Sequence, residues 1–568
     1  MCRAGLPRSA FVWLVAGLLP AGLARADQAL PEDDVVLRAM VDELDRSLGL
    51  QLEGLAKPYF VQFKVQERTV DGLTGRFGAL NAADHSRQRA FSSRVRVGGY
   101  ELDNTNVLRG PGGGTTIALP LDDDYFALRQ AMWAATDREY KRAVQILTRK
   151  RAYIQQKNIQ DRPPDFSPAE AVQHFDPLPH LEFNQDDWTE RVRRLSARFN
   201  RHEAIQNSEV TLVVARVTER LVNSEGTRLR TADTGALLSL SADLQAGDGT
   251  RLADSRLIAA ESLEELPSLE TLTAEVDALC QSLTELAAAP VLEEYTGPVL
   301  FDGEAAAQVF ASLLAPGLAA RPGPIGSRRS RDTSLEKRLG KRVLPATFRV
   351  YDDATVERFD GRLLFGRYAF DDEAVPARRV DLVTDGVLRA LVASRAPTLK
   401  VHGSTGHGRT ARFGADASAA VANLFITSTD GLGDEELKQE LLDACQEEGL
   451  EFGLRITSLA GVGNGRLPDP LFACKVHAAD GREEPVRNLA FRPVPARALR
   501  SLLASGREPY LLNHLTRGAA SAVAPAVLFE ELELRKVEQE PDRPPIVEAP
   551  TLRTSSRTGG TAGGSQDG

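Results

Sequence analysis

With 568 residues, 42% of them apolar, the chain is too long for one hydrophobic core and apolar enough to build two or three without disulfide or metal staples. A net charge of −10 argues against nucleic acid as a partner, because phosphate polymers are held by clustered Lys and Arg. Beyond Cys2 the cysteines are Cys280, Cys445 and Cys474, an odd number that excludes a disulfide framework and reads as small buried hydrophobes.

The chain opens with Arg3 and Arg8, runs apolar over 10–23 and then offers Ala24-Arg25-Ala26. That is the pattern of a secretory signal (1–26) cut after Ala26, with a mature protein starting at Asp27 and exported to the periplasm or the medium. The apolar run is about 14 residues, short of the roughly 20 that a spanning helix needs, so no membrane span is expected. Leu37, Met40, Val41, Leu44 and Leu48 recur at helical spacing and predict a helix over 33–48. After Pro58, Tyr59, Val61, Phe63 and Val65 alternate, as do Val95 and Val97, which predicts strands of a half-buried sheet.

Pro120-Leu121-Asp122-Asp123-Asp124-Tyr125 predicts the start of a long helix reaching about Gln156. Its acids suit the positive end of a helix, and the alternating ligands of a calcium loop are absent. Pro163-Pro164-Asp165 interrupts the chain before a second charged helix over 186–199. Strands are predicted over 210–222 and 227–244, joined by the turn Asn223-Ser224-Glu225-Gly226, followed by a helix over 269–286 with Ser268 as its cap. These elements make a first α+β domain over 27–294, an antiparallel sheet with a helical insertion at about 122–200, closed by the turn chemistry of Tyr295-Thr296-Gly297-Pro298.

A second, β-rich domain, barrel or sandwich-like, is expected over 295–538. It starts with a helix after Gly303 and a basic stretch, 321–342, whose eight Lys or Arg residues read as a solvated loop. Short strands follow at 348–351, at 380–384 hairpinned through Asp385-Gly386 to 387–394, and at 420–427. A helix at 434–448 and strands at 450–456 and 472–478 complete the pattern. From 539 to 568 the chain is rich in Pro, Gly and Ser and is predicted to be disordered.

Gly366-Arg367-Tyr368-Ala369-Phe370-Asp371-Asp372-Glu373-Ala374-Val375-Pro376 resembles the Gly-x-Tyr-x-Phe-Asp-Asp-Glu-Gly-Val-Pro signature of the TldD/PmbA family. Ser404-Thr405-Gly406-His407-Gly408-Arg409 is similar to that family's Thr-Gly-Asn-Gly-Arg loop, Ala422-Asn423-Leu424 to its Thr-Asn-x strand, and 223–226 to a turn late in its first domain. The resemblance spans most of the mature chain and is densest over 299–456. It implies a zinc peptidase fold in which His-Glu-x-x-x-His opens a helix and a late Cys in a Gly-flanked loop completes the site. Two imidazoles and a thiolate would hold zinc with one position open for water, and the Glu would take that water's proton.

The matching helix here reads Gly303-Glu304-Ala305-Ala306-Ala307-Gln308. Both histidine positions hold other residues, and only Glu304, the general-base position, remains. Glycine has no donor and an amide is a weak zinc ligand. Cys474 lies in a strand-like run, so no third ligand is carried over and no cofactor is expected. His402 with His407 and His174 with His180 have no zinc-site spacing. Ser404 and Ser505 lack the flanking glycines of a nucleophile elbow.

The resemblance therefore implies a non-catalytic member, like the PmbA (TldE) type that pairs with a metal-bearing TldD-like paralogue. Its expected partners are a peptide or unfolded segment and a second subunit, giving a homodimer or heterodimer. Two alternatives stay open: an active metallopeptidase with an altered site around Glu304, and an exported structural scaffold.

Overall fold

The computed structural model describes residues 30–107, 113–325, 335–516 and 518–537. The signal segment with its cut after Ala26, the whole tail from 539 onward and the middle of the basic stretch, 326–334, lie outside the described residues.

The N-terminal half comprises α1 (Val35–Ser47), β1 (Pro58–Arg76), β2 (Ala79–Val97), β3 (Thr115–Ala118), α2 (Tyr125–Lys157), β4 (Gln173–Phe175), α3 (Gln185–Arg198), β5 (Asn207–Asn223), β6 (Arg228–Gln245), β7 (Arg251–Ala260) and α4 (Leu269–Ala288). Its strands form one sheet in the order β3-β2-β1-β5-β6-β4, with β7 also on β6. Every pairing is antiparallel except that of β4 with β6. Each long helix starts on a polar cap: Asp34, Asp124, Asn184 and Ser268 accept from the backbone N–H groups of Leu37, Ala127, Asp187 and Thr271.

One face of this sheet carries the helices. Val61, Phe63 and Val65 on β1 lie under α1 and α2, and Leu73 farther along the strand joins the cluster under α3 and α4. The other face meets the C-terminal half. Val213 and Leu237 pack with Phe365, and Leu221 and Leu229 with Phe370 and Ala374.

The C-terminal half runs through β8 (Glu294–Phe301), α5 (Gly303–Leu313), β9 (Ala319–Ala320), β10 (Phe348–Asp352), β11 (Arg358–Phe359), β12 (Arg362–Leu363), β13 (Val380–Thr384), β14 (Val387–Leu388), β15 (Val392–Ala393), β16 (Gly408–Arg409), β17 (Ser418–Ala419), β18 (Asn423–Ser428), α6 (Asp434–Glu447), β19 (Phe452–Leu459), β20 (Pro470–His477), β21 (Glu483–Val486), β22 (Leu489–Phe491), β23 (Leu502–His514) and β24 (Ala520–Lys536). Eleven of these strands form a mixed sheet, β14-β13-β10-β18-β24-β8-β19-β20-β21, with β22 and β23 also on β24. The sheet is open and does not close into a barrel. Alternation along β8 shows two covered faces: Val299 and Phe301 pack with α5, and Leu300 packs under α6. No described helix is long and apolar enough to cross a membrane.

The central strand of this sheet, β24, is missed by periodicity. Its first half is a run of alanines with Pro525 inside it, weak β chemistry by any scale. Pro525 is tolerated because it faces Pro509, where the β23 register slips between Ser505 and Pro509.

A strap between α2 and β4 binds the halves. The N–H groups of Asp165 and Phe166 both donate to the Tyr100 carbonyl, and that of Ser167 donates to the Arg395 carbonyl at 2.8 Å. The buried Phe166 ring takes the guanidinium of Arg96 at 3.6 Å and that of Arg395 at 4.0 Å from its centroid, and meets Phe60 edge-on. Phe166→Ala removes a packed ring and the π partner of two buried cations, so it is expected to lower unfolding free energy by about 3–5 kcal/mol, read as a lower urea midpoint.

Candidate functional site

Helix α5 begins where β8 ends, and its first residue is bent. Gly303 has φ +55°, a left-handed conformation that suits glycine, and its N–H donates to Asp302 Oδ1 at 2.6 Å. Asp302 is held in turn by Arg455 Nε at 2.9 Å. Gln308, one turn into the helix, is bound on both sides of its amide. Its Oε1 accepts from Leu459 N at 2.7 Å, and its Nε2 donates to Leu459 O at 3.2 Å and to Glu304 Oε1 at 3.3 Å. Ser312, a further turn on, takes Gly463 N on its hydroxyl at 2.9 Å and Gly465 N on its carbonyl at 2.8 Å. The helix thus grips the end of β19 and the Gly-rich loop after it.

Glu304 is exposed, yet partial burial in its recess, reinforced by Asp254 and opposed by Arg256 and Arg362, holds its carboxyl above the ordinary value. Asp254 and Arg256 lie on β7 and Arg362 on β12, so the recess is shared by both halves of the molecule.

This donor set does not fit zinc. Gly303 offers nothing, the Gln308 amide is spent on the Leu459 backbone, and the Gly-flanked loop at 460–466 contains no Cys, His or acid. Among the described residues no group of three or more His, Cys, Asp or Glu side chains is disposed to hold a metal ion. Cys474 sits in β20, its thiol raised by burial. His174, His180, His402 and His407 lie elsewhere. His407 is fully buried, with Nε2 at 2.9 Å from Asp352 Oδ1, His174 pairs with Asp176 at 2.7 Å, and His180 is exposed. Ser404 donates to the Ala393 carbonyl and Ser505 to Ser428, so neither has a base beside it.

The acidic motif, in contrast, forms a buried cluster where the halves meet. Lys64 of β1 bridges Glu219 of β5 at 2.8 Å and Asp372 at 2.9 Å. Asp372 Oδ2 also accepts from Thr410 N at 2.8 Å, with Arg409 Nε 3.7 Å away. Burial opposes the Asp372 charge, but Lys64 and Arg409 outweigh it and hold that carboxyl well below the usual range. Arg395 donates to Glu225 at 2.6 Å and to the Ser167 carbonyl. Lys64, Glu219, Asp371, Asp372 and Arg409 line a cavity of about 20 Å³, enough for one water among polar partners.

Three cations therefore answer Glu219, Asp372 and Glu225, and the remaining acids, Asp371 and Glu373, have none of their own. Asp371 accepts from the N–H groups of Glu373, Val375 and Gly408, and Glu373 from Arg395 N. A side chain at Gly408 would strike Glu373 Oε2 at 2.3 Å and approach Asp371 Oδ2 at 3.1 Å, which explains the glycine and places the two carboxyls side by side. Burial, and then Glu373, push Asp371 from 3.8 up to about 7, and burial raises Glu373 as well. Sequence reading saw this motif as a label. Its physical content, a solvating cage for Lys64, was hidden because Lys64 and Glu219 lie far away in the chain.

Fold and donor set together define a metallopeptidase-like α+β scaffold whose site helix carries no His or Cys. Residues 294–536 match the PmbA/TldA metallopeptidase C-terminal domain. A metalloprotease of Archaeoglobus fulgidus is 31% identical over 116 residues, which is 20% of this chain and spans only 24% of that relative's length. TldE from Thermococcus kodakarensis superposes with a TM-score of 0.58 at 14% identity, over 87% of this chain and 99% of that one. A proposed modulator of a DNA gyrase from Thermotoga maritima does so at 0.55 and 15%, over 84% and 96%. At such identities the structural likeness shows the fold alone. The chain belongs to the TldD/PmbA family.

The raised carboxyl pair has a thermodynamic signature. Below the ordinary carboxylate pKa the pair's bound proton contributes its full stability, and this contribution is lost as pH rises through about 7, since only the folded state retains the proton in between. Glu373→Gln keeps an acceptor for Arg395 N and removes the repulsion. It is expected to flatten the decline in urea midpoint between about pH 4 and 7 and to unfold at a higher urea concentration than wild type at about pH 8. Parallel profiles for the two proteins would refute the pairing.

Proposed function

We propose that this chain is an exported, non-catalytic TldD/PmbA subunit, of the TldE kind, that binds a peptide or a partner subunit. The observation that carries this reading is the state of Gln308, whose amide serves as a strut between α5 and β19 where the family places a zinc-binding imidazole. The positive φ of Gly303 adds to it, since a histidine there would sit in strained backbone. Purified mature protein is expected to carry no stoichiometric zinc by elemental analysis. Glu304→Ala should shift stability by no more than about 0.5 kcal/mol, as befits an exposed side chain. Near one zinc per chain, or a peptidase activity abolished by Glu304→Ala, would overturn the reading. It would favour the second one, an altered peptidase site in which the raised carboxyl of Glu304 acts as general base.

Pairing is the natural companion of a lost site, because a subunit without chemistry can still form one wall of a peptide chamber. The likeness to TldE supports a partnership with a metal-bearing paralogue or a second copy. The end strand β21 pairs with β20 alone and offers backbone groups on its other edge that pairing would cover, whereas the outer edge of β14 is already taken by residues 340–342. Light scattering at micromolar concentration is expected to give a dimer. A monomer, with no paralogue captured by cross-linking in the native envelope, would defeat this part.

A further inference from the structure

A groove of about 640 Å³ runs along the outside of the N-terminal half, between α3 and α4, within the size range of ligand sites. Arg194 and Arg198 on α3 and Arg201 in the turn after it follow helical spacing, so they stand along one side. Ala197 and Ala274 line it as well, and their small side chains leave the space open.

Charge within the groove is unevenly answered. Arg198 grips Asp277 with two bonds, Nε to Oδ1 at 2.6 Å and Nη2 to Oδ2 at 2.5 Å, and His202 holds the same carboxylate at 2.9 Å. That clamp ties α3 to α4. Arg194 and Arg201 are exposed and make no ion pair with any described residue, and Glu270 is the acid that remains on the opposite wall. Two guanidiniums without an ion pair among the described residues, side by side in a concave groove on a chain of net charge −10, make a local positive patch against the sign of the whole protein.

We propose that this groove is a docking site for an acidic peptide segment whose Asp or Glu side chains pair with Arg194 and Arg201. The guanidinium fork matches a carboxylate in a bidentate way. A broad anionic surface fits poorly, because exposed Asp186, Asp187, Glu190 and Glu203 surround the same helix and would face a membrane or a nucleic-acid backbone. A narrow chain entering between the helices meets the arginines first. At one side the tip of the β1–β2 hairpin docks on α3, with Asn200 Nδ2 donating to the Phe77 carbonyl and Gly78 N to Ser196 Oγ, and it presents the half-exposed Phe77 ring. That ring gives an apolar neighbour of the acidic residues something to pack on. The site is distinct from the α5 recess and does not depend on peptide binding there.

The test uses the full mature chain and a fluorescein-labelled octapeptide of Glu and Phe, with its Gln-for-Glu counterpart as control. At low ionic strength anisotropy should show binding of the Glu peptide and not of the Gln peptide, weakening as salt is added. The double variant Arg194→Glu/Arg201→Glu should lose about tenfold or more in affinity, whereas Arg149→Glu, an exposed charge reversal on α2, should not. Both arginines make no ion pair among the described residues, so the urea midpoint of the double variant should match wild type and keep the comparison valid. No binding of the Glu peptide at low salt, equal binding of both peptides, equal affinity in the double variant, or displacement by anionic lipid vesicles as effective as by unlabelled peptide would each overturn the proposal.

Discussion

The junction between the two sheets depends on one buried ammonium. Lys64 stands on the inner face of β1, away from water, and an unpaired charge in such a place would cost several kcal/mol. Glu219 supplies one counter-charge from the neighbouring strand, and Asp372 supplies the other from the opposite half of the chain. Two carboxylates around one cation then require another cation, which is Arg409, stacked over Tyr368 at 4.3 Å. The residues Tyr368, Asp371, Asp372 and Gly408 thus follow from the need to solvate a charge without water. Removing Lys64 would leave Glu219 without its ion pair in a largely buried place.

That cage explains why so much of the C-terminal half is irregular yet well determined. Asp371 accepts three backbone N–H groups, and Asp352 takes His407 Nε2 and Ala422 N, so the segments around 371–376 and 405–422 are fixed by carboxylates more than by the short β16–β17 ladder. Ala374 is held at φ +60° inside this loop, where the family signature has glycine. A methyl group in left-handed backbone is a strain of roughly 1–2 kcal/mol. The surrounding hydrogen bonds overdetermine the turn enough to carry it.

Helices and caps were legible in the sequence because they are local. Asp124 and Ser268 cap where their positions suggested, and the long α2 ends within a residue of the expected place. The strands were legible only where one face is apolar. The outer stretch of β2 from 79 to 88 is mostly exposed, and β24 is apolar on both faces, so neither shows the alternation that marks a half-buried strand. The site divided in the same way. Loss of both imidazole positions could be read directly from residues 303 and 308. That Gln308 had acquired a new bond to Leu459 could not, because the partner is a backbone group distant in sequence. The groove arginines looked like part of a solvated helix, and only the approach of α4 turns three of them into one wall.

The glutamine at 308 also bears on how the proposed metal-free site would keep its shape. A ligating histidine on α5 would be held in place partly by the ion, and deleting it would leave the end of β19 and the Gly-rich loop without an anchor on the helix. Gln308 restores that anchor with a donor and an acceptor on adjacent atoms, matching the N–H and C=O of a single residue, Leu459. Ser312 repeats the device one turn later for Gly463 and Gly465. The same geometry that closes the site to zinc keeps the recess open. Glu304 remains exposed at the first turn of the helix, facing Arg256 and Arg362 from other elements. A polar recess with walls fixed by Gln308 and no imidazole or thiolate beside Glu304 fits the proposed role of holding a chain.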